Sequence, residues 1–233
     1  MALSVNSITF IKSIGTSTGA ADTKSLLPPF EFAAMPVLDV QTTDLICRTP
    51  DMTSAITPFP IGAGETLRVT WDVSSKSPYS GSDPVGPCVF WLAPYSSKGI
   101  GKVWTKIHHY MYDGDDKSAN WCSAKLVDNG GYYDLVIPKD IVNGQYYLRS
   151  ELIDITGARL TSNYLDSTAG PRFHVNCAVI DVTGGSGVPF KAPVSILDVY
   201  KPFYKKTVFP TAMVNSKLIL PGPAPLTDGS PKK

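Results

Sequence analysis

Residues 128–155, DNGGYYDLVIPKDIVNGQYYLRSELIDI, contain two candidate β-strands and the turns around them. Asn129-Gly130-Gly131 predicts a turn, because asparagine and glycine adopt positive φ angles at little cost. The short run Tyr133–Ile137 predicts a β-strand, and Pro138 ends it. Gln145–Ile155 then alternates with a period of two, the period of a strand rather than a helix. Both of its faces carry apolar residues, so we predict a central strand of a sheet that packs on another layer.

Composition restricts the classes of protein to which the chain can belong. Its 233 residues suffice for one sizeable core, and its 20 prolines and 19 glycines suit many short strands joined by tight loops. Charged residues make up 18% and the formal net charge is +1, which argues against nucleic acid or an anionic membrane as a partner. No apolar run could span a bilayer, and the opening MALSVNSITFIKSIG lacks the features of a signal peptide.

Two other segments show the strand period. Leu3–Ile11 predicts a first strand, and Leu67–Val73 predicts another after the turn at residues 62–65. Between them, Ser13–Asp39 is interrupted by glycines and prolines and predicts a loop. Short strands separated by turns indicate an all-β fold.

The four cysteines form an even set, Cys47, Cys88, Cys122 and Cys177. Two disulfides in an oxidising compartment are one interpretation, and reduced buried thiols are the other. Their spacing alone does not decide between them.

His108 and His109 are adjacent histidines near the end of a predicted strand, and a metal site is one interpretation of the pair. Neighbouring strand residues point to opposite faces of a sheet, so two such imidazoles cannot converge on one ion. We therefore predict ordinary histidines at a strand end.

Several motifs follow one another in a fixed order along the chain. They are Trp121, Lys125-Leu126, Asn129-Gly130, Ile137-Pro138, Asp140-Ile141, Gly144, Leu148-Arg149 with Glu151, residues 170–185, Val194–Lys201 and Leu220–Pro223. In this order they resemble the fungal auxiliary-activity family 9 lytic polysaccharide monooxygenases over roughly residues 3 to 223. The resemblance implies an immunoglobulin-like or fibronectin-like antiparallel β-sandwich with long loops. It also implies one domain over residues 1–223, followed by a polar tail over residues 224–233.

The resemblance is weakest at the copper site. In the family, an N-terminal histidine and a second histidine two residues before a Gly-Pro pair bind copper, and a tyrosine lies at the axial position. The Gly-Pro pair is present as Gly86-Pro87, but the three matching positions hold Ala2, Pro84 and His174. Neither alanine nor proline carries a side chain that can ligate copper. We therefore predict that the copper ligands of the family are absent and that the chain has no metal cofactor.

Two positions around the family's copper also differ. A histidine that helps to position oxygen is matched by Thr156, and a glutamine is matched by Arg172. A guanidinium cannot accept a hydrogen bond, and its permanent charge would repel a copper ion.

The resemblance implies other roles for specific side chains. Cys47 and Cys177 match the cysteines of a structural disulfide in the family, while Cys88 and Cys122 are candidates for a second, less typical bridge. Tyr200 and Tyr204 lie where the family often displays a tyrosine that stacks on glucose rings. An equally good interpretation is that these tyrosines fasten the C-terminal loop to the sandwich.

These observations predict a non-catalytic relative that has lost the copper site and binds fungal cell-wall polysaccharide or a protein partner. The alternative is a copper-dependent monooxygenase that cleaves cellulose or a related β-glucan with an altered site around His174 and Asp83. A structural surface protein with neither ligand nor chemistry is a third interpretation. We expect a monomer with no nucleic-acid or membrane partner. By family resemblance, we expect an extracellular location.

Overall fold

Nine β-strands and three short α-helices make up the described part of the chain. The computed structural model describes residues 10–28, 35–54, 56–72, 85–111, 121–155, 171–201 and 220–228. The strands are β1 (Ile11–Thr16), β2 (Phe59–Gly62), β3 (Thr66–Trp71), β4 (Cys88–Pro94), β5 (Thr105–Tyr110), β6 (Tyr132–Val136), β7 (Gly144–Asp154), β8 (Arg172–Thr183) and β9 (Thr227–Asp228). The helices are α1 (Asp44–Cys47), α2 (Cys122–Asp128) and α3 (Ile196–Tyr200), with a 3-10 turn at Tyr95–Ser97.

The strands form two sheets. The smaller sheet has the order β1-β3-β6, and the larger has the order β2-β8-β7-β4-β5-β9. All pairs are antiparallel except the two outermost pairs of the larger sheet, β2–β8 and β5–β9. The predicted all-β sandwich is therefore confirmed, with parallel pairing only at its edges.

The predicted central strand is β7. It lies between β8 and β4 in the larger sheet, and its residues from Tyr146 to Asp154 are all buried. Both faces of β7 are covered because the sheet has packed layers on both sides. The period-two pattern of the sequence is thereby confirmed as a buried central strand.

Two hydrophobic cores lie on the two faces of the larger sheet. The first fills the space between the sheets, where Leu67 of β3 and Leu135 of β6 meet Phe90 and Leu148. The second lies on the opposite face, where the helices α1 and α3 cover an apolar surface that includes Trp91. The larger sheet is consequently the middle layer of the molecule.

The predicted C-terminal boundary of the first strand is wrong. Strand β1 begins at Ile11 and continues to Thr16, so most of it lies in the segment that was predicted as loop from residue 13. Residues 1–9 lie outside the described ranges. The register of β1 against β3 shifts between Ile11 and Ser13, which marks a bulge. The bulge turns both Ile11 and Ile14 inward, although they are three residues apart. Simple alternation therefore could not identify this strand.

Two residues within the predicted polar tail of residues 224–233 form a short strand. Thr227 and Asp228 form β9, which pairs with His108 and His109 of β5. The amide of Leu226 also donates to the carbonyl oxygen of Lys106 at 3.1 Å. Backbone hydrogen bonds to an open sheet edge order this polar segment without apolar burial.

Packing requires a glycine at position 86, the first residue of the Gly-Pro pair that resembles the family motif. A Cβ atom at this position would collide with the backbone carbonyl of Ile153 in β7. The amide N–H of Gly86 donates to the hydroxyl oxygen of Ser123 at 3.0 Å. Only glycine fits this close approach of two backbones.

Within the described residues, no helix is long and apolar enough to cross a membrane.

Candidate functional site

The copper-site position implied by the family resemblance lies at one end of the β7–β8 pair. The antiparallel register places Arg172 opposite Asp154, and His174 follows two residues further along β8. Because strand side chains alternate, these three project from the same face of the sheet. Further along β8, the same face carries Ala178 of the inter-sheet core.

His174 is a buried and neutral imidazole. The residue is 4% exposed, and its Nδ1 atom has no hydrogen-bond partner among the described residues. Burial, with smaller contributions from Arg48 and Arg172, lowers the pKa of His174 to about 4 against the opposing effect of Asp154. The ring is therefore uncharged at neutral pH.

Arg172 and Asp154 form a buried ion pair beside this imidazole. Nη1 of Arg172 lies 3.8 Å from Oδ2 of Asp154, and the two side chains are 4% and 3% exposed. A glutamine at this position could donate and accept hydrogen bonds, whereas a guanidinium only donates and remains cationic. The site therefore contains a permanent positive charge.

The other positions of the predicted site are not described by the structure. Ala2, Pro84 and Thr156 lie outside the described ranges, as does Asp83 of the alternative metal site. Of the five altered positions, the structure brings together His174 and Arg172.

The three histidines of the sequence do not converge. His108 and His109 are neighbours in β5, and Nε2 of His108 lies 2.6 Å from the hydroxyl oxygen of Tyr133. His174 is in β8, which β7 and β4 separate from β5. At the usual strand spacing, the two backbones are roughly 14 Å apart. Phe90 occupies the face between them, with its ring 5.9 Å from that of His108.

The described donor set does not fit copper. A site built on two imidazoles needs histidines that face one point, and the fold holds these three apart. The four cysteines are all in disulfides, and the described ranges contain no group of three or more His, Cys, Asp or Glu residues that could hold a metal ion. What the site contains is one neutral imidazole beside a buried ion pair.

The prediction that Tyr200 stacks on a sugar ring is wrong for this structure. Tyr200 is 1% exposed, and its ring packs edge-on against Phe173 with 5.2 Å between the ring centroids. The alternative interpretation, in which it fastens the C-terminal region to the sandwich, agrees with this packing. Tyr204 lies outside the described ranges.

Tyr200 belongs to a buried polar network whose role the sequence analysis missed. The guanidinium of Arg149 makes two hydrogen bonds to the carboxylate of Glu151, and the hydroxyl of Tyr200 donates to Glu151 Oε2 at 2.5 Å. Arg149 also donates to the carbonyl oxygens of Leu45 and Ile46 at the end of α1. A signal was present, because Arg149 and Glu151 lie on the same side of an otherwise apolar alternation.

A second buried cation fixes the C-terminal segment. Nζ of Lys106 donates to the carbonyl oxygen of Pro221 at 2.6 Å and lies 5.1 Å from the ring centroid of Trp91. Burial lowers the pKa of Lys106 to about 8, while Glu151 acts in the opposite direction. The segment 220–228 is therefore bound to β5 through both a side chain and the backbone.

Both predicted disulfides are present. Cys47–Cys177 joins the end of α1 to β8, with 5.2 Å between the Cα atoms. Cys88–Cys122 joins β4 to the start of α2, with 5.6 Å between the Cα atoms. The interpretation of reduced thiols is thereby excluded in this structure.

Together, the fold and these bridges define a disulfide-bonded β-sandwich with a buried ionic cluster at one end of its central strands. The chain belongs to Auxiliary Activity family 9 (formerly GH61), whose family model matches residues 12–217. One relative is the AA9 family lytic polysaccharide monooxygenase A of Collariella virescens, 30% identical over 169 residues that cover 67% of this chain and 58% of the relative. Another is the AA9 family lytic polysaccharide monooxygenase A of Aspergillus clavatus, 28% identical over 193 residues that cover 81% of this chain and 51% of the relative.

Solved structures agree on the fold. The structure of CvAA9A superposes with a TM-score of 0.72 at 24% identity, covering 93% of this chain and 97% of that chain. At this identity the likeness establishes the β-sandwich alone. The chain spans about half the length of the Aspergillus relatives that it matches, from 40% to 53%.

Proposed function

We propose that this protein is a non-catalytic member of Auxiliary Activity family 9 that has lost the copper site and acts by binding. Its ligand in this proposal is cell-wall polysaccharide or a protein partner. The observation that carries the proposal is the separation of the three histidines, with His174 alone at the candidate site beside the Arg172–Asp154 ion pair.

The chemistry of the altered positions supports this proposal. Pro84 stands where the resemblance implies the second copper histidine, two residues before the Gly86-Pro87 pair that aligns this segment with the family. Packing requires glycine at position 86. Proline offers no ligating side chain, and the guanidinium of Arg172 adds a cation where the family has a neutral glutamine. These losses are mutually consistent, since a site without copper no longer selects against a positive charge.

Location and partner follow from the same features. Two disulfides suit an extracellular protein, because such bonds persist in oxidising compartments. A net charge of +1 suits a neutral polymer better than an acidic one. We propose a secreted fungal monomer that recognises a polysaccharide surface.

One observation favours the alternative, a copper-dependent polysaccharide monooxygenase with an altered site. The imidazole of His174 is neutral at pH 7, and its Nδ1 atom has no hydrogen-bond partner among the described residues. A neutral imidazole is the form that binds copper. A single imidazole beside a guanidinium is nonetheless a poor copper site.

The test is an oxidation assay on cellulose with copper(II) and ascorbate, with soluble products identified by mass spectrometry. The proposal predicts no oxidised oligosaccharides above a protein-free control that contains the same copper. Oxidised products that disappear in the His174→Gln variant would establish the alternative. A depletion assay on the same cellulose measures binding independently of oxidation.

A further inference from the structure

The outer face of the smaller sheet carries alternating polar and aromatic side chains. In the β3–β6 pair, Thr66 lies opposite Val136, Arg68 opposite Asp134 and Thr70 opposite Tyr132. The intervening residues Leu67, Val69 and Leu135 are fully buried in the inter-sheet core. Alternation therefore directs Thr66, Arg68, Thr70, Tyr132, Asp134 and Val136 away from the core, and we call these six residues the outer face.

Arg68 is fixed in this face from two sides. Its Nε and Nη2 atoms donate to the two carboxylate oxygens of Asp134 at 2.7 and 2.8 Å. Its guanidinium carbon lies 3.7 Å from the ring centroid of Tyr132. The side chains of Arg68 and Asp134 are 28% and 36% exposed. An arginine held in this way presents its plane without losing side-chain entropy when a ligand binds.

This arrangement has the chemistry that a sugar ring requires. A guanidinium stacked on an aromatic ring forms a flat surface, and flat surfaces complement the apolar face of a pyranose. Two of the five guanidinium N–H groups are directed at Asp134, which leaves three for other acceptors. The carboxylate oxygens of Asp134 can accept further hydrogen bonds. Sugar hydroxyls both donate and accept, so neighbouring donors and acceptors match them.

We propose that the outer face is a binding site for a neutral glycan chain such as a β-glucan, with the guanidinium of Arg68, held on the ring of Tyr132, as the stacking surface. This inference rests on the proposed polysaccharide-binding function, and it assigns the ligand class and the surface. From Tyr132 to Val136 the strand extends about 13 Å, the length of a short oligosaccharide. The site lies on the smaller sheet and is separate from the buried cluster of His174.

The charge and the apolar content of the outer face favour a neutral glycan over a charged polymer or a protein partner. Arg68 and Asp134 neutralise each other, so the face attracts neither a polyanion nor a polycation. Val136, at 47% exposure, is the exposed large apolar side chain of the six. A protein interface is centred on a larger apolar or aromatic cluster than this. Tyr200 is buried and does not supply an aromatic contact to a sugar.

The experiment compares the full chain with three variants of the outer face. Binding is measured by depletion on microcrystalline cellulose and by calorimetry with cellohexaose. Tyr132→Ala and Arg68→Ala are expected to weaken binding about tenfold each. Arg68→Lys keeps the charge but removes the plane, and it is expected to behave like Arg68→Ala. Lys102→Ala, an exposed cation outside this face, is the matched control and should bind normally.

A second measurement does not depend on the variants folding. Amide chemical shifts of the unmodified protein, followed by NMR during addition of cellohexaose, should move in β3 and β6. Binding that is equal in all variants, or shifts confined to other strands, would overturn the inference and leave the proposed binding function standing. If the unmodified protein binds neither cellulose nor cellohexaose, the inference and the β-glucan form of the proposed function both fail.

Discussion

Arg149 and Glu151, two residues apart on β7, form a two-point ion pair with both side chains fully buried. The distances are 2.8 Å from Nη1 to Oε2 and 2.9 Å from Nη2 to Oε1. Burial raises the pKa of the Tyr200 phenol well above its usual value, and Glu151 adds to the effect, so the hydroxyl stays protonated and donates to the pair. The network connects the central strand to α1 through Arg149 and to α3 through Glu151.

Glu151→Ala is expected to lower the free energy of unfolding by about 3–5 kcal/mol, because it leaves the guanidinium of Arg149 buried without a counter-charge. Denaturant unfolding monitored by tryptophan fluorescence measures this change. Asp128→Ala is the control, since Asp128 is exposed, and it should cost less than about 0.5 kcal/mol. The double variant Arg149→Met/Glu151→Leu removes the unpaired charge and should recover part of the loss, but not all of it, because the carbonyl oxygens of Leu45 and Ile46 lose their donor. A Glu151→Ala protein as stable as the Asp128→Ala protein would contradict the network's role.

The lowered pKa of His174 should make the free energy of unfolding depend on pH. Its pKa is about 4 when folded and about 6.5 when unfolded, so the unfolded chain binds the proton first as the pH falls. The contribution of neutral His174 to the free energy of unfolding is fully present above pH 6.5. It is lost as the pH falls from 6.5 to about 4, and the loss reaches at most about 3 kcal/mol. Denaturant unfolding at pH 7.0 and 5.0 should therefore show a smaller difference in His174→Gln than in the unmodified protein. Parallel pH profiles for the two proteins would contradict the assignment.

Lys106→Met is expected to release the segment 220–228. The substitution removes the hydrogen bond to Pro221 and leaves that buried carbonyl oxygen without its donor, at a cost of about 1–3 kcal/mol. Limited proteolysis followed by mass spectrometry should detect earlier cleavage within 220–228. Lys102→Met, an exposed lysine near β5, serves as the control. Identical cleavage rates in the two variants would show that β9 pairing alone holds the segment.

The two disulfides should differ in their effect on stability. The sequence separation is 130 residues for Cys47–Cys177 and 34 for Cys88–Cys122. In the chain-entropy model, these loops correspond to stabilisation of about 5 and about 4 kcal/mol. Replacing Cys47 and Cys177 by serine should therefore destabilise more than replacing Cys88 and Cys122, as measured by thermal unfolding. The reverse order would show that native packing around the bridge outweighs loop closure.

The sequence predicts the parts of this fold that depend on local pattern. Alternation identifies β7 and β3, because a buried strand imposes its period on the residues themselves, and the turn signals on either side of residues 133–137 identify most of β6. The helices α2 and α3 were not predicted, since each has seven residues or fewer and too few turns to show a helical period. The bulge in β1 and the short edge strand β9 depend on partners that are distant in sequence.

The sequence likewise predicts some residues of the candidate site but not the contacts between them. His174 and Arg172 were identified from the sequence, but the Arg172–Asp154 pair follows from the register of β7 against β8. Tyr200 shows the limit most clearly, because a tyrosine in a C-terminal helix can be exposed or buried. Its burial depends on Phe173 and Glu151, which lie in other elements. The outer face likewise requires the β3–β6 register, which places Arg68 beside Tyr132 and Asp134.

A copper(II) titration of the metal-stripped protein, followed by calorimetry and electron paramagnetic resonance, determines whether the chain has kept a copper site. The N-terminal residue of the sample must be sequenced first, because a terminal amine can bind copper. We expect no tight one-to-one binding, and the same result for the His174→Gln variant. Tight one-to-one binding with a nitrogen-rich spectrum, lost in His174→Gln, would show that this protein has a working copper site and that the proposed loss of copper is wrong.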